Sequence, residues 1–334
     1  MVTLKDIAEK ADVSVMTVSR VINGHYSKVS KEKTEAIQKI IQESGYVVNS
    51  TARSLSSKSS RIIAVLLQGK NGCLKDPYSA AMVNDILENV QARGYYLMIH
   101  YVDQYEQITN RLRSWNAEGA VFLGTYDQNM KKIREDNQIP LIFTDSYCSL
   151  RQITNVGIDD YKGGMLAAKC FLSHGHRSCA FVGYSPNSSL LVQHRLEGFR
   201  DTLRGAGLDI PANHIVDLNT NPTPGKTIGS FSEPITAIFV TADIAAAKLI
   251  TELKDLGYQL PRDYSIIGFD DLSISCYTSP KLTTVHQNID QKAKIACDIL
   301  FNHINSPDTP AENVCMDVSL IERESVADYN GPQK

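Results

Sequence analysis

Hydrophobic positions follow two regimes along this chain. Up to Gly45 they recur at helical spacing. Leu4, Ile7, Ala8 and Ala11 share one face of a helix predicted over 4–11, with Thr3 placed to cap it. Asp12 interrupts where a residue tolerant of the left-handed conformation is needed. Ser14 caps a second helix from Val15 to about Ile22, which ends near Asn23-Gly24. A third helix, capped by Ser30, turns Ile37, Ile40 and Ile41 inward and stops at Gly45. Two short helices joined by so tight a turn form a helix-turn-helix unit.

From Arg61 the pattern changes to short apolar runs alternating with amphipathic segments. The runs are IIAVLL (62–67), YYLMIHY (95–101), AVFLG (120–124), PLIFT (140–144), CAFVG (179–183), AIFVT (237–241) and SIIGF (265–269). Helices are predicted at about 78–93, 104–115, 162–174, 190–206 and 243–256. Such runs between helices read as parallel strands covered on both faces. So many βα units fit two Rossmann-like lobes better than one sheet. Residues 219–234 carry Pro222, Pro224, Gly225 and Gly229 and are expected not to form a regular helix.

Residues 49–60 between the two regimes are polar and serine-rich. They read as a linker in which Asn49 can cap a short helix through Ala52, Arg53 and Leu55, too short to persist alone in water. The organisation expected is a helix-turn-helix domain over 1–48, a hinge over 49–60 and an α/β core over 61–329.

Charge sharpens this division. Residues 1–61 hold ten Lys/Arg against six Asp/Glu, whereas the remainder holds 24 against 31. A small basic head on an acidic body fits a polyanion-binding module joined to something else. No apolar run reaches the roughly 18 residues needed to span a bilayer, and the N-terminus, with acids early and no apolar h-region, does not read as a secretory signal. A cytoplasmic protein is expected. The seven scattered cysteines, at 73, 148, 170, 179, 276, 297 and 315, form no CxxC pair and read as reduced thiols. His174 and His176 flank Gly175 with no third ligand near in sequence, so they read as a turn and no metal is expected. GxSxG, HExxH, P-loop and GxGxxG motifs are missing, and no enzymatic function or cofactor is expected.

On the second helix, Val18, Val21 and Ile22 face the first. That turns Val15, Met16, Ser19 and Arg20 toward solvent. An exposed Val-Met pair beside an arginine suits a major groove, where apolar side chains meet thymine methyls and Arg forks onto guanine. Ser14, Thr17 and Asn23, at the helix ends, are placed to hold phosphates. The competing reading is a sugar-binding or enzymatic α/β protein whose head mediates protein contacts. It leaves Val15, Met16, Arg20 and Leu55 unexplained.

The segment LKDIAEKADVSVMTVSRVING closely resembles the DNA-binding head of the lactose/galactose repressor (LacI/GalR) family, with its VSxxTVSRVxN core at Val13–Asn23. The resemblance implies that Val15, Met16 and Arg20 read bases, that Ser14, Thr17 and Asn23 position the backbone, and that Leu55 enters the minor groove as a wedge. It also implies a periplasmic-binding-protein-like core. Lobe one would take about 61–157 and 287–315, and lobe two about 158–285 and 316–329, with an effector cleft between them. Asp145 in FTDS, Arg195 in RLEGF and Asp270 in GFDD match the family's ligand-contacting positions, as do Tyr78 in DPYS and Gln287 after LTTVH. Asp145 and Asp270 also follow predicted strands, whose carboxyl ends face the ligand crevice in an open α/β sheet. The implied protein is a repressor that binds pseudo-palindromic double-stranded operator DNA as a homodimer. Its implied effector is a small molecule, a sugar or sugar derivative. One departure is Ala242 in VTAD, where the family has Asn or Ser.

Overall fold

The computed structural model describes residues 2–22, 24, 26–46, 59–69, 73–102, 104–124, 129–146, 153–184 and 189–329. Asn23, Leu55, Cys148 and positions 49–58 of the expected hinge lie outside the described residues. The chain divides into two units, Met1–Ser60 and Arg61–Lys334.

The first unit contains α1 (Leu4–Lys10), α2 (Val15–Ile22), a short 3-10 turn at Tyr26–Lys28 and α3 (Lys31–Ser44). Thr3 and Asp6 start α1 with a reciprocal capping box. The Asp6 N–H donates to the Thr3 hydroxyl at 3.3 Å and the Thr3 N–H donates to the Asp6 carboxylate at 2.8 Å. Asp12 turns the chain with φ 47°, in the left-handed region. Ser30 caps α3, and Gly45 ends it at φ 60°. Ile7, Ala8, Val18, Val21 and Ile37 form the core, and Ile22, Ile40 and Ile41 pack at its margin.

The second unit holds two six-stranded sheets. The first forms from β1 (Ile62–Gln68), α4 (Pro77–Ala92), β2 (Tyr96–Val102), α5 (Glu106–Ser114), β3 (Gly119–Leu123), α6 (Met130–Asp136), β4 (Leu141–Thr144) and β5 (Thr154–Ile158). The chain then enters the second lobe with α7 (Asp160–Ser173), β6 (Cys179–Gly183), α8 (Leu190–Gly205), β7 (Ile215–Asp217), α9 (Pro224–Gly229), β8 (Ala237–Val240), α10 (Asp243–Asp255), β9 (Ser265–Asp270) and β10 (Thr283–His286). It returns with α11 (Ile289–Asn305) and β11 (Asn313–Met316), then crosses again to β12 (Ser319–Ile321). The strand orders are β11-β5-β4-β3-β1-β2 and β12-β10-β9-β8-β6-β7. All pairs are parallel except β10 with β12.

Two expectations need correction. Residues 224–229 do form a short helix, α9. Pro224 sits in its first turn, where the missing N–H costs nothing. The run 95–101 is not covered on both faces. Strand β2 lies at a sheet edge, with Tyr96, Met98 and Ile99 exposed.

In lobe two, α7 and α8 meet at glycines. A Cβ built at Gly164 would lie 1.9 Å from the Arg195 carbonyl oxygen, and one at Gly198 would lie 1.9 Å from that of Tyr161. The two backbones touch with no side chain between them. This contact fixes the spacing of Asp160, at the start of α7, and Arg195, on α8.

Candidate functional site

In the head, the buried face of α2 is Val18 and Val21, and the opposite face carries the candidate base readers. Val15 is 43% exposed and Met16 63%. Ser14 is exposed, while Thr17, Ser19 and Arg20 are half-buried, so Ser19 and Arg20 are less open than the helical pattern suggested. One turn along the helix, Arg20 Nη2 lies 3.4 Å from Met16 Sδ, which lays the guanidinium along the exposed stripe. Ser14 caps α2: its hydroxyl accepts from the Thr17 N–H at 3.2 Å and lies 2.9 Å from the Thr17 hydroxyl. Apolar contact groups and a flexible cation thus share one face, with two hydroxyls at its N-terminal end.

In the core, Tyr78, Asp145, Gln287 and Asp270 belong to one hydrogen-bonded chain. Asp76 caps α4, its carboxylate accepting from the Ser79 N–H at 2.9 Å, and this sets Tyr78 in the first turn. The Tyr78 hydroxyl donates to Asp145 Oδ2 at 2.7 Å. Asp145 follows β4 with φ 53°, and Asp270 ends β9 with φ 111°. Both carboxylates therefore stand on strained left-handed backbone at the carboxyl ends of their strands, a pattern concentrated at functional sites. Gln287, at the return crossing, donates from Nε2 to Asp270 Oδ1 at 2.6 Å. Its Oε1 accepts from Lys292 at 3.2 Å. Lys292 also donates to the Tyr78 hydroxyl at 2.9 Å and pairs with Asp145. The chain of bonds runs from lobe one, through Gln287, to Asp270 in lobe two.

Arg195 stands beside this chain. Its Nε donates to Asp160 at 2.6 Å and its Nη1 to the Thr241 carbonyl at 2.6 Å. Its guanidinium carbon lies 3.4 Å from the centre of the Phe269 ring, a stacked cation–π contact. Burial pushes the Asp270 carboxyl well above the usual carboxylate range, and the charge of Arg195 only partly offsets this. Burial, reinforced by Asp145, pushes the Tyr78 hydroxyl well above its ordinary value. Tyr78 therefore stays a neutral donor, and Asp270 is driven toward a form that can both donate and accept. A ligand rich in hydroxyl groups matches such an array.

Asp270 and Asp271 point to different partners. Asp271 pairs with Arg323 at 2.6 Å and with His286 Nδ1 at 2.9 Å. Behind them Asp243 accepts from the Thr284 hydroxyl at 2.6 Å and from the Leu272 N–H at 2.8 Å, which pins the loop after β9. Burial raises its carboxyl to about 7, against the lowering effect of those two hydrogen bonds. The sign follows from proton uptake on folding. The stability this group contributes is complete below the ordinary carboxylate pKa and is lost as pH rises through about 7. Asp243→Asn should therefore flatten the fall in urea midpoint of the full chain between roughly pH 4 and 7, an effect of a few kcal/mol at most. A variant profile parallel to that of the parent would disprove the assignment.

Among the described residues, three buried charges were not among the sequence candidates: Lys292, Asp160 and Asp243. Lys292 left a signal. It shares the inward face of α11 with Ala296 and Ile299, where a lysine interrupts an otherwise apolar stripe. Asp160 and Asp243 open helices, and N-terminal acids are too common there to stand out.

A helix-turn-helix head joined to a two-lobed α/β core, with a buried polar cluster linking the lobes, defines a ligand-responsive transcriptional regulator. Residues 3–49 match the family described as bacterial regulatory proteins, lacI family, and residues 168–326 match the periplasmic binding protein-like domain. The chain is 30% identical over 339 residues to the HTH-type transcriptional regulator MalR of Clostridium butyricum, across 96% of this chain and 98% of that protein. It belongs to the LacI family of bacterial regulatory proteins. Its fold is also that of the Lac repressor dimer bound to operator and the anti-inducer ONPF (TM-score 0.85, 23% identity, 98% of this chain and 99% of that one). The complex of the transcriptional regulator CelR with cellobiose is similar as well (TM-score 0.73, 23% identity, 98% of this chain and 100% of that one). Family membership sets aside the enzymatic reading. Among the described residues, no helix is long and apolar enough to cross a membrane.

Proposed function

We propose that the protein is a cytoplasmic repressor of carbohydrate-uptake or catabolic genes, binding a pseudo-palindromic operator as a homodimer under the control of a sugar or sugar derivative. The observation that carries the DNA-binding half is the face of α2 that holds Val15, Met16 and Arg20 away from the core. Ser14, Thr17 and Asn23 hold phosphates beside it, Ser19 lines the same face, and Leu55 belongs to the hinge over 49–60. The dimeric, operator-bound form of the similar Lac repressor supports this reading. The effector half rests on the buried polar chain between the lobes and on the cellobiose bound by CelR. In this reading Tyr78, Asp145, Arg195, Asp270 and Gln287 are the effector's partners. An effector that prefers one arrangement of the lobes shifts the population of dimers able to place both heads on the operator.

The test is a gel shift with DNA from upstream of the protein's own gene. Binding should weaken steeply as salt rises, because phosphate contacts release counterions. Arg20→Ala should lose about 1–3 kcal/mol of discrimination, roughly 5- to 150-fold, against the same operator with its guanine contact changed. Its melting temperature should move little, since the Arg20 guanidinium runs along the exposed Met16. Unchanged operator preference in Arg20→Ala would remove α2 from the groove.

A further inference from the structure

Lys292 is the feature of the interlobe site that the proposed function does not use. Its side chain is 0% exposed. A lysine ammonium has three donors, and here they reach the Tyr78 hydroxyl, the Asp145 carboxylate and the Gln287 carbonyl oxygen. Those are three of the five groups read as effector partners. The ammonium also lies 5.4 Å from the centre of the Tyr78 ring. Carboxylate, phenol, amide oxygen and aromatic face together make a recognition set for a primary amine. Stability alone gives no reason for a charge here. Burying an ammonium is costly before its partners offset it, and a Leu or Met on this face of α11 would pack without that cost.

We propose that Lys292 is a specificity-determining residue of the interlobe site, filling from within a primary-amine subsite built by Tyr78, Asp145 and Gln287. The inference rests on reading this cleft as the effector site. Its consequence is a sharing of the cleft. The chain's own amine takes one bonding position on each of Tyr78, Asp145 and Gln287, and a free effector meets the capacity those groups have left together with the Asp270 side, which the Arg195–Asp160 pair borders. Through Gln287 the occupied subsite is tied to Asp270, so the tethered amine and the effector act on the same lobe-to-lobe connection.

The test is chemical rescue in the full chain. Lys292→Ala empties the subsite, and ethylammonium chloride is the probe. Its binding to the native state should raise the melting temperature of the variant by several degrees over matched sodium chloride. Ethanol should not, and the parent protein should respond to neither. An equal response of parent and variant, or no response of the variant to the amine, overturns the proposal. If Lys292→Ala does not fold in plain buffer, the readout becomes recovery of folded protein on adding ethylammonium, and no recovery is equally fatal. A second variant, Lys292→Ala with Asp145→Asn, removes the carboxylate that anchors the amine and should lose the ammonium-specific shift; a shift that persists there also overturns the assignment. No arm involves DNA, so failure here is distinguishable from failure of operator binding.

Discussion

Gly164→Ala should strongly destabilise lobe two. Alanine is the better helix former by about 1 kcal/mol, so propensity alone predicts a gain. Packing reverses the sign. The new methyl would stand 1.9 Å from the Arg195 carbonyl oxygen and 2.8 Å from the Phe199 nitrogen, both backbone atoms that no rotamer change can move. The helices must separate, and the Phe171–Phe199 contact behind them opens with them. A loss above about 4 kcal/mol is expected, the range reserved for disrupted cores. That is a large part of the 5–15 kcal/mol that typically holds a domain. The control lies on α8 itself: a Cβ at Gly205 meets nothing within 4 Å, and Gly205→Ala should be neutral or slightly stabilising. Urea unfolding of the full chain followed by circular dichroism compares the two. Equal midpoints for Gly164→Ala and the parent would show that the helices do not approach as described.

Arg195→Ala should cost about 3–5 kcal/mol, the usual effect of removing one partner from a buried ion pair. Asp160 is fully buried, and the truncation takes away its guanidinium together with the donor to the Thr241 carbonyl and the cation over Phe269. The penalty depends on pH with a definite sign. An Asp160 carboxylate left without its cation is harder to ionise than in the unfolded chain, so the deficit of the variant should widen as pH rises from about 5 to 8. Adding Asp160→Asn should restore part of the loss, and a double-mutant cycle reads the coupling directly. Additive effects of the two substitutions would mean that the pair does not interact. The same variant bears on function. Where enough native protein remains, it should still shift operator DNA but no longer respond to effector, because Arg195 shares its surroundings with Tyr78 and Asp270.

What the sequence determined by itself is mostly local. The head was legible because its signals act within a few residues: Thr3, Ser14 and Ser30 as caps, Asp12 at the turn, Gly45 as the stop. The βα alternation and the two-lobe class were legible because continuous Val/Ile runs have few other uses. Asp145 and Asp270 stood out as acids directly after such runs. Other features depend on partners far along the chain, and only the tertiary structure decided them. Strand β2 reads as a buried strand until the sheet order puts it at an edge. The helix at 224–229 forms because lobe two packs over Ile228 and Glu252 accepts the Gly225 N–H at 3.0 Å. Gly164 and Gly198 look like weak points of two helices until those helices are seen in contact. Lys292 lies 147 residues from Asp145 and 214 from Tyr78. Periodicity places a side chain on a face but does not say what the facing element presents, and a buried charge is decided by that facing element.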